Sequence, residues 1–190
     1  MNTATYADVF QPQSSVGSRL YNGVLVVLGT AFIALMAHVR VPLPFSPVPV
    51  TGQTLAILLI GMLYGRYRAL ATVTLYLIEG IAGLPVFAGG AGLGYVLGPT
   101  GGYIIGFLFA AYLLGVFAEW GWDRRFGSAF AAMFLGSLVI LTLGTMYLSA
   151  FMGLKPALVA GFLPFIGVDV VKSLIAATLL PVGWRIMKKN

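Results

Sequence analysis

The chain has 190 residues, of which 59% are hydrophobic and 8% charged, and its mean hydropathy is +0.98. Soluble domains carry roughly 25% charged residues, so the composition excludes a soluble globular protein and indicates an all-α integral membrane protein; apolar runs broken by Gly and Pro, without strict alternation, disfavour a β-barrel. The formal charge is +6 and cysteine is absent, which excludes disulfides and thiolate chemistry, and because the cations flank apolar runs they fit membrane topology and no nucleic-acid partner is expected.

Residues 1–18 read as a polar N-terminal tail. They lack the basic start, short apolar core and cleavage site of a signal peptide. Residues 19–190 read as a single transmembrane domain of six helices, over 20–39, 51–65, 69–83, 101–118, 128–153 and 164–187. The second and third segments are short against the roughly 20 residues of a full span. They leave room for loops that fold inward. No second domain, low-complexity tract or internal repeat separates out.

The first segment carries small residues at Gly23, Thr30, Ala34 and Ala37. Thr30 and Ala34 make a small-xxx-small pair that permits close helix approach. Docking to a partner membrane protein and packing within the same bundle are both open. His38, the one histidine, suits an interfacial position and precludes a His-based metal site; no metal is expected.

Between the first and second segments lies RVPLPFSPVPVTGQ, whose four prolines make a stiff, extended backbone. Gln53 ends this stretch and starts the second helix. Its amide both donates and accepts, which suits a urea or amide ligand; a helix-start residue in water is the alternative. Glu79, near the outer end of the third segment, reads as an interfacial residue or a cavity wall. The following loop, GLPVFAGGAGLGYVLGPTGGY, is glycine-rich, so its backbone is free to approach a ligand. It contains no G-x-G-x-x-G after a strand, so a nucleotide fingerprint fails. Tyr95 and Tyr103 flank its GPTGG turn, either as covers for a ligand or as belt aromatics.

Charge placement predicts orientation. Arg19, Arg66, Arg68, Arg124, Arg125, Arg185, Lys188 and Lys189 fall on one side, against Arg40 and Lys155 in loops on the other. The basic side is expected to be cytoplasmic, with both termini inside. Loops 40–50, 84–100 and 154–163 then face out. Trp120, Trp122 and Trp184 fall near the inner interface.

The sixth segment contains VDVVKS. Asp169 and Lys172 are three residues apart and share a helix face. Charges at membrane depth are costly and mark substrate or ion paths. Asp169 lies about a turn and a half below the expected helix start at Pro164, so the pair belongs to the same outer half as the proline and glycine loops. An outward-open cavity lined by all three is expected. A structural ion pair is the alternative, although buried pairs are weak stabilisers. There is no H-E-x-x-H, no G-x-S-x-G and no P-loop, so an enzyme is not expected and any use of ATP falls to a partner.

PVPVTGQTLAILLIGMLYG, then AGLPVFAGGAG and LGPTGGYIIGF, and finally LPFIGVDVVKSLIAA resemble the biotin-specific S-components, the BioY family, of energy-coupling-factor (ECF) transporters. The resemblance spans about residues 20–185. It implies a six-helix S-component-like bundle in the prokaryotic plasma membrane. It implies biotin as the transported ligand, no cofactor, and a transmembrane coupling protein with two cytoplasmic ATPase subunits as partners, docked through the first helix at Thr30, Ala34 and Ala37. Gln53, Asp169 and Lys172 match the family's glutamine and D-x-x-K pair. Asp169 is then expected to accept from a ureido N–H with Gln53 nearby, and Lys172 to donate to the ureido carbonyl. Phe87, Val86, Tyr95 and Tyr103 are expected around the ligand's rings and chain, and backbone N–H groups at Gly89 and Gly90 beside its carboxylate. Ala91 and Ile104 stand where some relatives carry an Asn and a basic residue, so contacts by those side chains do not carry over. A stand-alone ion-coupled transporter, an S-component for another vitamin and a membrane enzyme are the rival readings.

Overall fold

The computed structural model describes residues 3–187. Lys188 and Lys189 of the basic side lie outside the described residues, as do the first two of the tail. The described chain is almost wholly helical. It runs α1 (Tyr6–Val9), α2 (Ser15–His38), a ribbon of β1 (Arg40–Val41) and β2 (Val50–Thr51), α3 (Gln53–Tyr64), α4 (Arg66–Ile81), α5 (Leu93–Val96), α6 (Gly101–Glu119), a 3-10 turn (Trp122–Arg124), α7 (Phe126–Met152), α8 (Leu154–Gly161) and α9 (Leu163–Met187).

The six expected segments correspond to α2, α3, α4, α6, α7 and α9. Four stretches are long and apolar enough to cross a bilayer: Ser15–His38, Gly101–Glu119, Phe126–Met152 and Leu154–Met187. At 12 residues, α3 extends only about 18 Å. α2 begins five residues before the expected segment because the Ser14 hydroxyl accepts the Gly17 N–H at 3.1 Å and caps the first turn. The third outer loop, expected over 154–163, is instead α8. Gly153, at φ +84°, turns the chain out of α7, and Pro156 is harmless in a first turn, where its N–H is not needed. The proline loop is tied off by the antiparallel pairs Arg40↔Thr51 and Val41↔Val50.

In a bilayer the gain from burying apolar surface between helices is small, so close packing through small residues takes over. α6 sits at the centre, against α3, α4 and α7. Ala110, Ala111, Ala118, Ala129, Ala132, Ala176 and Ala177 are fully buried at helix contacts. Gly106 lets α7 pass so close that a Cβ there would be 3.1 Å from the Ile140 Cα. The outward face of α2, with Val24, Val27, Leu28 and Leu35, is exposed aliphatic surface.

The basic residues gather at one end. Arg66 pairs with Glu119 at 2.8 Å, and Glu119 also accepts the Arg66 N–H at 3.0 Å, capping α4. Residues 3–14, which fall in the expected polar tail, pack onto this end. The Arg68 guanidinium donates to Asp8, Asn22 and Gln11, each at 2.7 Å. Burial pushes the Asp8 carboxyl up, but the Thr5 N–H and Arg68 outweigh it and hold the group below its ordinary value. The Tyr6 hydroxyl donates to the Leu180 carbonyl, and its ring lies 4.6 Å from Trp184. Trp184 Nε1 donates to Asp123 at 2.6 Å.

Candidate functional site

A cavity opens at the opposite end. Its enclosed volume is about 50 Å³, and it is bounded by α3, α6, α7 and α9 with both outer loops above it. Its walls are mostly apolar, from residues such as Phe107, Ile140 and Phe165, with a few polar groups converging from α3 and α9.

Asp169 and Lys172 meet here. Lys172 Nζ lies 3.3 Å from Asp169 Oδ1 and also donates to Thr54 Oγ1 on α3. Asp169 is only 1% exposed. Its Oδ2 is buried and finds no donor among the described residues. An unmet buried acceptor costs about 1–3 kcal/mol, more for a charged group, so Oδ2 presents a strong demand for an N–H.

Gln53 also lines the cavity. It is buried, which removes the reading of a helix-start residue in water. Its Nε2 donates to the Tyr76 hydroxyl at 2.6 Å, and that hydroxyl donates to the Val86 carbonyl at 2.9 Å. Thr51 Oγ1 donates to Gln53 Oε1 at 3.2 Å. The amide is thus oriented by α4 and the glycine loop, with one N–H still free.

The aromatic expectations divide. Tyr95 borders the cavity, and its hydroxyl donates to the Ala88 carbonyl at 3.1 Å. Tyr103 also borders it, but as a wall: its hydroxyl donates to the Gly161 carbonyl at 2.8 Å. Phe87, expected beside a ligand, is 1% exposed and does not border the cavity. It stacks behind Tyr95 at 5.2 Å and rests on Gly80, where any Cβ would lie 2.0 Å from the ring. Phe87 therefore supports Tyr95. Val86 contributes its carbonyl to Tyr76 and does not border the cavity either.

The glycine loop differs from expectation at its amides. The Gly89 N–H donates to the Phe87 carbonyl at 2.7 Å in a three-residue turn, so it is not free for an anion. Gly90 faces the Tyr95 ring, where a Cβ would come within 2.5 Å. Both glycines shape the loop, and the Gly89 N–H is already engaged.

The small residues of α2 also face differently. Thr30 and Ala37 are buried inside the bundle. Thr30 Oγ1 donates to Glu79 Oε1 at 3.2 Å, and Ala34 is half-buried. Docking through Thr30 and Ala37 is thus corrected to packing against α4, since the exposed strip of α2 lies a few residues round the helix. Glu79 is half-buried between α2 and α4 and borders no cavity. Thr54, Tyr76 and Arg40 were not singled out from sequence. Thr54 adjoins Gln53 and was open to inference; Tyr76 and Arg40 reach the site only through the fold.

A family model described as "BioY family" matches residues 11–189. The biotin transporter BioY2 of Lactococcus lactis subsp. cremoris (strain MG1363) is 34% identical over 83% of this chain and 87% of its own. A probable biotin transporter BioY of Pyrococcus horikoshii is 36% identical over 82% of this chain and 91% of its own. Among solved structures, the S-component for biotin from an ECF-type ABC transporter matches with a TM-score of 0.78 and 27% identity, over 94% of this chain and 96% of that one.

Proposed function

Because the chain belongs to the BioY family, we propose that it is the substrate-capture component of a biotin uptake transporter, taking biotin into the cavity at the outer end and delivering it across the membrane with an ATP-driven energy-coupling module. The observation that carries this is Asp169 Oδ2, a buried carboxylate oxygen with no donor of its own, on a residue that lines a mostly apolar cavity beside Lys172 and Gln53. A ureido ring supplies two N–H donors and one carbonyl acceptor. Asp169 takes one N–H, Lys172 serves the carbonyl and keeps Asp169 ionised, and the free N–H of Gln53 adds to the carbonyl.

Six passes with both termini cytoplasmic, in the plasma membrane of a prokaryotic cell, fit the basic cluster at the end opposite the cavity. The exposed strip of α2 is the natural face for a coupling protein. Gly23 there has open space around it, and Val27 and Ala31 are exposed.

Calorimetric titration of the purified protein in detergent with biotin tests this reading. Saturable tight binding, unaffected by excess thiamine or riboflavin, is the expected result. A folded sample that binds another vitamin, or none, removes biotin.

A further inference from the structure

Above the cavity lies a wider outer chamber of about 550 Å³, walled by the proline and glycine loops. The two spaces share Pro49, Ala88, Tyr95 and Thr100, so they adjoin. Among the described residues, Arg40 is the one charged side chain on the chamber wall.

Arg40 stands opposite Thr51 in the ribbon, and Thr51 borders the cavity below. Its Nη1 donates to the Ala88 carbonyl at 3.1 Å. The guanidinium approaches Gly89 through Nη1, where a Cβ would come within 1.9 Å. The φ of +113° at Gly89 also favours glycine. The guanidinium has five N–H donors, so the single bond to Ala88 positions it without exhausting it. The Gly89 N–H is already bonded to the Phe87 carbonyl, and no other cation lines the chamber among the described residues. A ligand whose polar ring sits at Asp169 and Lys172 leads its chain upward past Tyr95 to this guanidinium.

We propose that Arg40 is the residue that recognises the ligand's carboxylate, at the mouth of the site, by charge-assisted hydrogen bonds from its unspent donors. This rests on the biotin reading above and assigns the other end of the same ligand. A guanidinium matches a carboxylate in a planar, two-bond geometry. Because Arg40 is exposed to solvent, the gain is moderate and screened by salt.

The test titrates wild type, Arg40→Ala and Arg40→Lys with biotin and with biotinamide, which keeps the rings and chain but has no charge. Arg40→Ala is expected to weaken biotin by about tenfold and to leave biotinamide unchanged. Arg40→Lys is expected to recover part of the biotin affinity. Wild type should prefer biotin to biotinamide, by a margin that shrinks with added salt. Equal loss of both ligands in Arg40→Ala makes Arg40 a strap between the loops and overturns the assignment, as does no loss of either. Wild type that binds biotinamide as tightly as biotin overturns it while leaving the biotin reading intact. Wild type that binds neither overturns both.

Discussion

Lys172 Nζ lies 3.3 Å from Asp169 Oδ1 on its own helix and reaches across to Thr54 Oγ1 on α3. The ammonium therefore links two helices and holds one oxygen of the carboxylate, which leaves the other oxygen without a donor. Asp169→Asn removes the charge, strands Lys172 and replaces an acceptor with an NH₂. Biotin affinity is expected to fall about 10- to 100-fold. Thr54→Val frees only one bond of Lys172 and is expected to cost about tenfold or less. Titration of both variants at one pH checks the order; Asp169→Asn binding as tightly as wild type would remove Asp169 from the site.

Gln53 depends on a residue that never meets the ligand. Tyr76 is fully buried and fixes the Gln53 amide through its hydroxyl. Tyr76→Phe strands the Gln53 N–H and the Val86 carbonyl together. Stability is expected to drop by about 1–3 kcal/mol, with biotin affinity falling as the amide reorients. Thermal unfolding and biotin titration of the same sample separate the two effects. An unchanged affinity would mean that Gln53 is held without Tyr76.

Asp123 predicts a pH effect at the inner end. Burial raises its carboxyl to about 6, and the Trp184 N–H and Arg124 only partly oppose this. The folded value lies above the ordinary 3.8. The native state thus holds this proton more tightly than the unfolded chain, and its contribution is full below about pH 4 and lost as pH rises through about 6. Asp123→Asn keeps an acceptor for Trp184 and removes the titration. Its Tm should match wild type near pH 4 and exceed it at pH 7 by on the order of 5 °C. Parallel Tm profiles across that range would refute the assignment.

Ala31 tests the partner face. It is exposed on α2, on the side away from Thr30 and Ala37. Ala31→Trp is expected to leave biotin binding intact and to abolish co-purification with the coupling protein and its ATPases. Retained co-purification would move the docking face to another helix.

The four long spans were legible because each is a long run with few charges, and a bilayer demands such runs, while α3 and α4 are shorter. α8 was not, because Lys155 and Pro156 fall in the expected outer loop 154–163 although a helix tolerates both in its first turn. Asp169 and Lys172 meet because three-residue spacing on a helix leaves them little choice. The facing of Phe87 was hidden, since it depends on Gly80, a residue on another element whose missing side chain makes the room. Thr30 and Ala37 were ambiguous for a related reason. Small residues suit close approach to any helix, and only the fold says that α4 fills that place. The Gly89 amide was unavailable because the loop closes on itself at Phe87, a local choice that composition does not reveal.

All three tryptophans lie at the end opposite the cavity. Trp122 stacks on Phe117 at 4.6 Å, Trp120 packs edge-on to the same ring, and Trp184 touches Tyr6 and lies under the Arg124 guanidinium at 4.8 Å. Intrinsic emission from this protein is therefore blind to ligand capture and sensitive to neighbours at the basic end. Titration of Asp123 beside the Trp184 indole changes its quenching near pH 6, and a protein seated against that end changes it again. The same fluorophores that make a poor binding assay report, without any label, when the captured ligand's carrier meets the machinery that moves it.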